Sequence, residues 1–156
     1  MEHIKTYELF NNFSLFKKKK DPFSNTDIEY VVEESLIELS DLGFSVEVKK
    51  KMNSVRNGEG NRISSNPSIE IEIAKEDGSG PYVKFQVSDV VEVLEFALPL
   101  LQKEYGLELW DLKYSELEWT QRGNSGTKKR HSYNKLSRVK NMDTRHIDII
   151  LKDHKW

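Results

Sequence analysis

The chain of 156 residues contains no cysteine, which excludes a disulfide framework, a thiolate zinc cage, an iron–sulfur cluster and a thiol nucleophile. No apolar run approaches the ~18 residues of a membrane span. The N-terminus also lacks the basic region, apolar core and small-residue cleavage site of a signal peptide, so the expectation is a cytoplasmic protein that makes no membrane contact. There is no G-x-x-x-x-G-K-[ST] loop, no G-x-G-x-x-G after a strand and no G-x-S-x-G elbow. His3, His131, His146 and His154 are scattered, with none at the i, i+4 spacing of a helical metal site. No catalytic residue, cofactor or metal is assigned, and an enzyme is not expected. Apolar residues make up only 37% against 32% charged, yet aromatics reach 10%, more than disordered chains carry. A folded chain of this length builds one domain around one core.

What is present reads as alternating helices and strands. His3 to Phe16 spaces Ile4, Tyr7, Phe10, Phe13 and Phe16 as an aromatic-faced helix, and Lys17 to Lys20 with Asp21-Pro22 ends this N-terminal segment, residues 1–22. Thr26 and Glu29 form a capping box ahead of the stripe Ile28, Val31, Val32, Leu36, Leu39 and Leu42, which Gly43 closes. Phe44, Val46 and Val48 alternate as a strand. Asn53 to Ser68 lacks apolar periodicity and reads as a long loop. Ile69, Ile71 and Ile73 form a second strand, expected to turn at Asp77-Gly78-Ser79-Gly80 into a hairpin strand over residues 81–87. Ser88 caps the next helix, Val90 to Tyr105, which Gly106 ends. Leu107 to Trp119 is extended but changes the parity of its apolar residues twice, each change implying a β-bulge. Gln121 to Asn141 reads as a second long polar loop, and Ile147, Ile149 and Leu151 as the closing strand.

A weak internal repeat runs through this order. Thr26-Asp27-Ile28 resembles Ser88-Asp89-Val90, Leu36 and Leu39 match Leu98 and Leu101, and Ile69-Glu70-Ile71 matches Ile147-Asp148-Ile149. Residues 26–77 and 88–156 are then two helix–strand–loop–strand halves of the single domain 1–156. The implied fold is α+β: a two-layer sandwich of an antiparallel sheet of about five strands, covered on one face by two helices, plus the N-terminal helix.

The chemistry concentrates in loop 121–141. Arg122, Lys128, Lys129, Arg130, Lys135, Arg138 and Lys140 lie there with no Asp or Glu. This stretch of +7 in a chain of net charge −2 leaves −9 on the remainder. With His131 and Tyr133 as stacking surfaces, it has the composition of a flexible phosphate-contacting arm for nucleic acid, or for an acidic protein surface. No helix-turn-helix, zinc finger, KH or RNP pattern supports base-specific reading. Glu47, Glu70, Glu72 and Asp148 are expected on the wet face of the sheet, where they could hold Mg²⁺ but more commonly form the polar half of an alternating pattern, with Lys49, Lys84 or Lys152 as partners.

His146-Ile147-Asp148-Ile149 resembles the His-x-Thr/Ser strand motif of the two-histidine phosphoesterases, which are also built as an internal repeat. Asp148 replaces the hydroxyl residue, however, and Ser68-Ile69-Glu70-Ile71 of the first half has no histidine. Chemistry that needs two imidazoles cannot run on one. In style, small and rich in Lys, Asn and Glu, the chain is similar to accessory proteins of large tailed bacteriophages, a likeness carried by no motif. It implies the alternative to the polyanion-binding module: a structural or assembly protein of the host cytoplasm or virion, with Phe10, Phe13, Arg56 and Arg62 contacting neighbouring subunits.

Overall fold

In the computed structural model the structure describes residues 23, 27–75, 83–119 and 125–153, with the backbone alone at 53–55, 62–66, 118–119 and 125–128. The expected N-terminal helix with Phe10 and Phe13, the Asp77–Gly80 turn and Arg122 lie outside the described residues. In chain order the elements are α1 (Ile28–Ser35), α2 (Ile37–Asp41), β1 (Phe44–Arg56), β2 (Arg62–Lys75), β3 (Phe85–Gln86), α3 (Val87–Tyr105), β4 (Leu107–Trp119), β5 (Ser125–Tyr133), a 3₁₀ turn (Leu136–Arg138), β6 (Asp143–Thr144) and β7 (His146–Asp153).

The fold is α+β. Five antiparallel strands form one sheet in the order β1-β2-β7-β4-β5, and β3 pairs separately with β6. The apolar stripe of the first helix buries Ile28, Val31, Val32, Leu36 and Leu39, and that of α3 buries Val90, Leu94, Leu98 and Leu101. These side chains share one hydrophobic cluster with Phe44, Val48, Ile69, Ile71, Ile73, Leu112, Ile147, Ile149 and Leu151. Those strand residues fall at alternate positions, so the cluster draws on one face of the sheet. This arrangement is compatible with a two-layer sandwich. Glycine is needed at both helix ends: Gly43 (φ 89°) and Gly106 (φ 69°) adopt the left-handed conformation that lets the chain leave a helix straight into a strand.

The register is symmetric. Val48, Ile71, Ile149 and Leu112 sit side by side across β1, β2, β7 and β4, and pairing continues outward from Ile71–Ile149 in the same pattern on both sides. A helix followed by two strands paired with each other therefore occurs twice, as α1/α2-β1-β2 and α3-β4-β7, with β5 added beyond β4, so that β1 and β5 are the outer strands.

Several local expectations need correction. The stretch Asn53–Ser68 is not a long loop: β1 runs to Arg56, β2 starts at Arg62, and the connection is a tight turn. In it Asn57 Oδ1 accepts from the amides of Glu59 (3.0 Å) and Asn61 (2.9 Å), and Gly60 takes φ 83°. Only Ile69–Ala74 of β2 pairs with β7. Beyond that stretch β1 and β2 pair only with each other, and Pro67 and Ser68 are buried at the base of this ribbon. Of the expected strand 81–87, the described residues form a single bridge of Val83 to Lys75 and the short β3, which pairs with β6 rather than with β2. Thr26, the expected cap, lies outside the described residues; Glu29 accepts the Lys50 amide (2.8 Å) at the β1 edge.

The largest correction concerns Gln121–Asn141, expected as a flexible loop. Ser125–Tyr133 is an edge strand on β4, and the segment after it is fixed. Leu136, Val139 and Met142 pack on the core. The Tyr114 hydroxyl donates to the Lys140 carbonyl (2.8 Å). Val87 N–H donates to the Met142 carbonyl (2.9 Å), and Ser88 N–H to Asn141 Oδ1 (3.0 Å). The helix thus starts at Val87, and a side chain from this segment, rather than Ser88 itself, supplies its cap.

A candidate anion-binding surface on the polar face of the sheet

Alternation separates the cations of β5. Lys129 stands opposite Glu116, His131 opposite Tyr114 and Tyr133 opposite Leu112, all on the side that carries the core. There the rings stack: Tyr114 and His131 with centroids 5.2 Å apart, Tyr114 and Tyr133 at 6.0 Å. His131 Nε2 lies 3.2 Å from Glu116 Oε2. Burial, and next the neighbouring Tyr133 hydroxyl, push the pKa of Tyr114 far up, so this phenol stays a donor to the Lys140 carbonyl. His131 and Tyr133, expected as stacking surfaces for a partner, are committed to the protein's own packing.

Arg130 projects to the other face. It stands opposite Ser115 and lines, with Lys113, Ser115, Arg145, His146 and Asp148, a cavity of about 260 Å³. Lys113 is held 3.2 Å from Asp111 Oδ2, and His146 Nδ1 lies 3.5 Å from Asp148 Oδ1. Among the described residues, the guanidinium groups of Arg130 and Arg145 have neither an ion pair nor a hydrogen bond. Lys135, Arg138 and Lys140 are exposed around the 3₁₀ turn. Of the two bulges expected in β4, the first is found, with Trp110 the extra residue between Leu109 and Asp111; opposite Glu116 and Leu117 the extra residue is Lys128 of β5, so β4 runs on there and its second parity change leaves Leu117 at the cavity on the polar face.

The carboxylates do share this polar face: Glu47, Glu72 and Asp148 are directly opposed across β1, β2 and β7, with Lys113 next in the row. Glu47 is 3.0 Å from Lys49, and that hydrogen bond, with the lysine charge, holds its carboxyl below the usual range. Glu70 pairs with Lys51. The other expected partners go elsewhere, Lys84 to Asp143 (3.5 Å) and Lys152 over the Trp110 ring. No group of three or more metal-ligating side chains occurs among the described residues. The polar face thus mixes both signs: Glu47, Glu70 and Glu72 with Lys49 and Lys51 over β1 and β2, and Arg130 and Lys113 with Glu108 and Asp111 over β4 and β5.

Arg56, exposed, and the backbone of Arg62 face one another at the tip of the β1–β2 ribbon. Sequence reasoning missed Lys113 and Arg145. Their signal is the pairing of Lys113 with Asp148 across β4 and β7, which single-sequence periodicity does not contain. No helix among the described residues is long and apolar enough to cross a membrane. No protein-family model, curated protein or solved structure matches the chain.

Proposed function

We propose that the protein is a non-enzymatic binding module for polyanions, nucleic acid foremost, whose phosphate seat is the cavity between β4, β5 and β7. The observation that carries this reading is the meeting of Lys113, Arg130 and Arg145 at one cavity, two of them with no partner of their own. Guanidinium groups present forked donors that match phosphate oxygens. The cavity, about 260 Å³, lies below the roughly 300–1,000 Å³ of pockets that take a whole drug-sized ligand and has room for a phosphate group.

A structural reason for the basic strand also exists. Cations on edge strands discourage edge-to-edge association, and the outer strands carry Lys49-Lys50-Lys51 and Lys128-Lys129-Arg130. That role accounts for Lys129. It does not account for Lys113, on an inner strand, or for Arg145, between β6 and β7.

Fluorescence anisotropy with labelled single-stranded and duplex oligonucleotides at about 50 mM salt tests the proposal. Association that weakens steeply toward physiological salt is expected. No association with either oligonucleotide contradicts it, and favours the assembly reading. That second reading rests on Tyr30, Leu42 and Phe96, large apolar side chains exposed on the helices, and sedimentation of the intact chain would then show oligomers.

A further inference from the structure

Trp110 is the bulged residue of β4, where Leu109 pairs with Leu151 and Asp111 already with Ile150. The bulge places Trp110 and Asp111 together on the polar face, since Leu109 packs on the core and Leu112 is buried. A bulge re-aims a side chain in this way. The ring is 53% exposed, and Lys152 Nζ, from the polar side of β7, lies 4.1 Å from its centroid. Trp110 therefore contributes little to the core. Lys113 follows three residues later on the same strand, about 10 Å away at the usual rise, and opens the basic cavity.

We infer that this face selects single-stranded nucleic acid, one base stacking on Trp110 while the adjoining backbone phosphate occupies the seat of Lys113, Arg130 and Arg145. The inference rests on the reading of that cavity as a phosphate seat and adds the nucleic-acid form that it takes. A base in a duplex has both faces covered by its neighbours, whereas an unpaired base offers one to an aromatic ring. Lys152 leaves the ring as the base arrives and finds a phosphate in exchange. An exposed cation–π contact is worth less than a stacked base, so the exchange is favourable.

The test uses the full chain and three labelled ligands of equal phosphate number: an oligothymidine, an abasic single strand and a duplex. The intact protein should bind oligothymidine the most tightly. Trp110→Ala should weaken that complex by about 5- to 150-fold, the range of one stacked base, while changing the other two by less than about twofold. Trp110→Phe should restore much of the loss. Arg130→Ala with Arg145→Ala should weaken all three, with an unchanged circular dichroism melt. Equal binding of the abasic strand and oligothymidine, or indifference to Trp110→Ala, overturns the inference and leaves the phosphate seat standing. Failure of the intact protein to bind any of the three overturns the seat as well. Displacement of oligothymidine by poly-glutamate at equal charge concentration overturns the choice of nucleic acid over an acidic protein.

Discussion

Truncating Ile149 to Ala removes three carbons from the middle of the sheet. The residue is fully buried and lies between Ile71 on β2 and Leu112 on β4, each as buried as itself. Ile→Ala changes in cores cost about 2–5 kcal/mol, the upper half where the surroundings cannot collapse into the space. Here both neighbours are fixed by ladders on two sides, so about 3–5 kcal/mol is expected. Domains of this size are stable by about 5–15 kcal/mol, and each kcal/mol moves Tm by about 2–4 °C. Ile71→Ala should cost a similar amount, because the register is symmetric about the pair. Since the two side chains are directly opposed, the double variant should depart from additivity by about 0.5–3 kcal/mol. Urea unfolding followed by circular dichroism measures all three variants with one m-value as a check. A loss below about 1 kcal/mol for either single variant, or strict additivity, would refute the placement of this pair at the centre of the core.

Leu39→Ala and Leu98→Ala should each cost about 2–5 kcal/mol, the second toward the lower end because Leu98 keeps 8% exposure; thermal melts unchanged in both would reject the packing of the helices on the sheet. Tyr114→Phe should cost about 0.5–1.5 kcal/mol, the value of its bond to the Lys140 carbonyl, read from the same urea curves. The folded-state pKa of Tyr114 is raised by burial. Its contribution is therefore whole below the ordinary tyrosine value of about 10 and is lost as pH rises through the folded value, the unfolded chain ionising first. Tyr105, raised by its own burial, adds to this alkaline loss, so the Tyr114→Phe variant should show a shallower fall, not a flat one. An alkaline limb identical to that of the parent protein would contradict the assignment.

The elements that the sequence announces are those that bury a face. Ile69, Ile71 and Ile73, the helix stripes, both exit glycines and the bulge of β4 at Trp110 are all visible as periodicity or its interruption, because each records which side of the chain meets the core. β5 is invisible for the converse reason. It has one neighbour, and the core side of Lys129, His131 and Tyr133 is filled by polar and aromatic groups that meet Glu116 and Tyr114, so Ser-Gly-Thr-Lys-Lys-Arg-His-Ser-Tyr reads as loop. The fixed path of residues 134–142 depends on bonds to α3 and β4 that are remote in sequence. The candidate site was half legible. Arg130 stands out by charge alone, but Lys129 beside it belongs to the other face, and Lys113 and Arg145 join it only through the pairing of β4 with β7.

The salt dependence of oligonucleotide affinity, compared between two triple variants, addresses the site most directly. Each phosphate contact contributes about 0.7 to the slope on single strands and about 0.9 on duplex. Replacing Lys113, Arg130 and Arg145 with Ala should flatten the slope for oligothymidine by about two units if each touches a phosphate. The same number of charges removed at Lys49, Lys51 and Lys84, which pair with Glu47, Glu70 and Asp143, should change it by less than half as much. Equal flattening by the two variants, or a slope that neither changes, would contradict a phosphate seat between β4, β5 and β7.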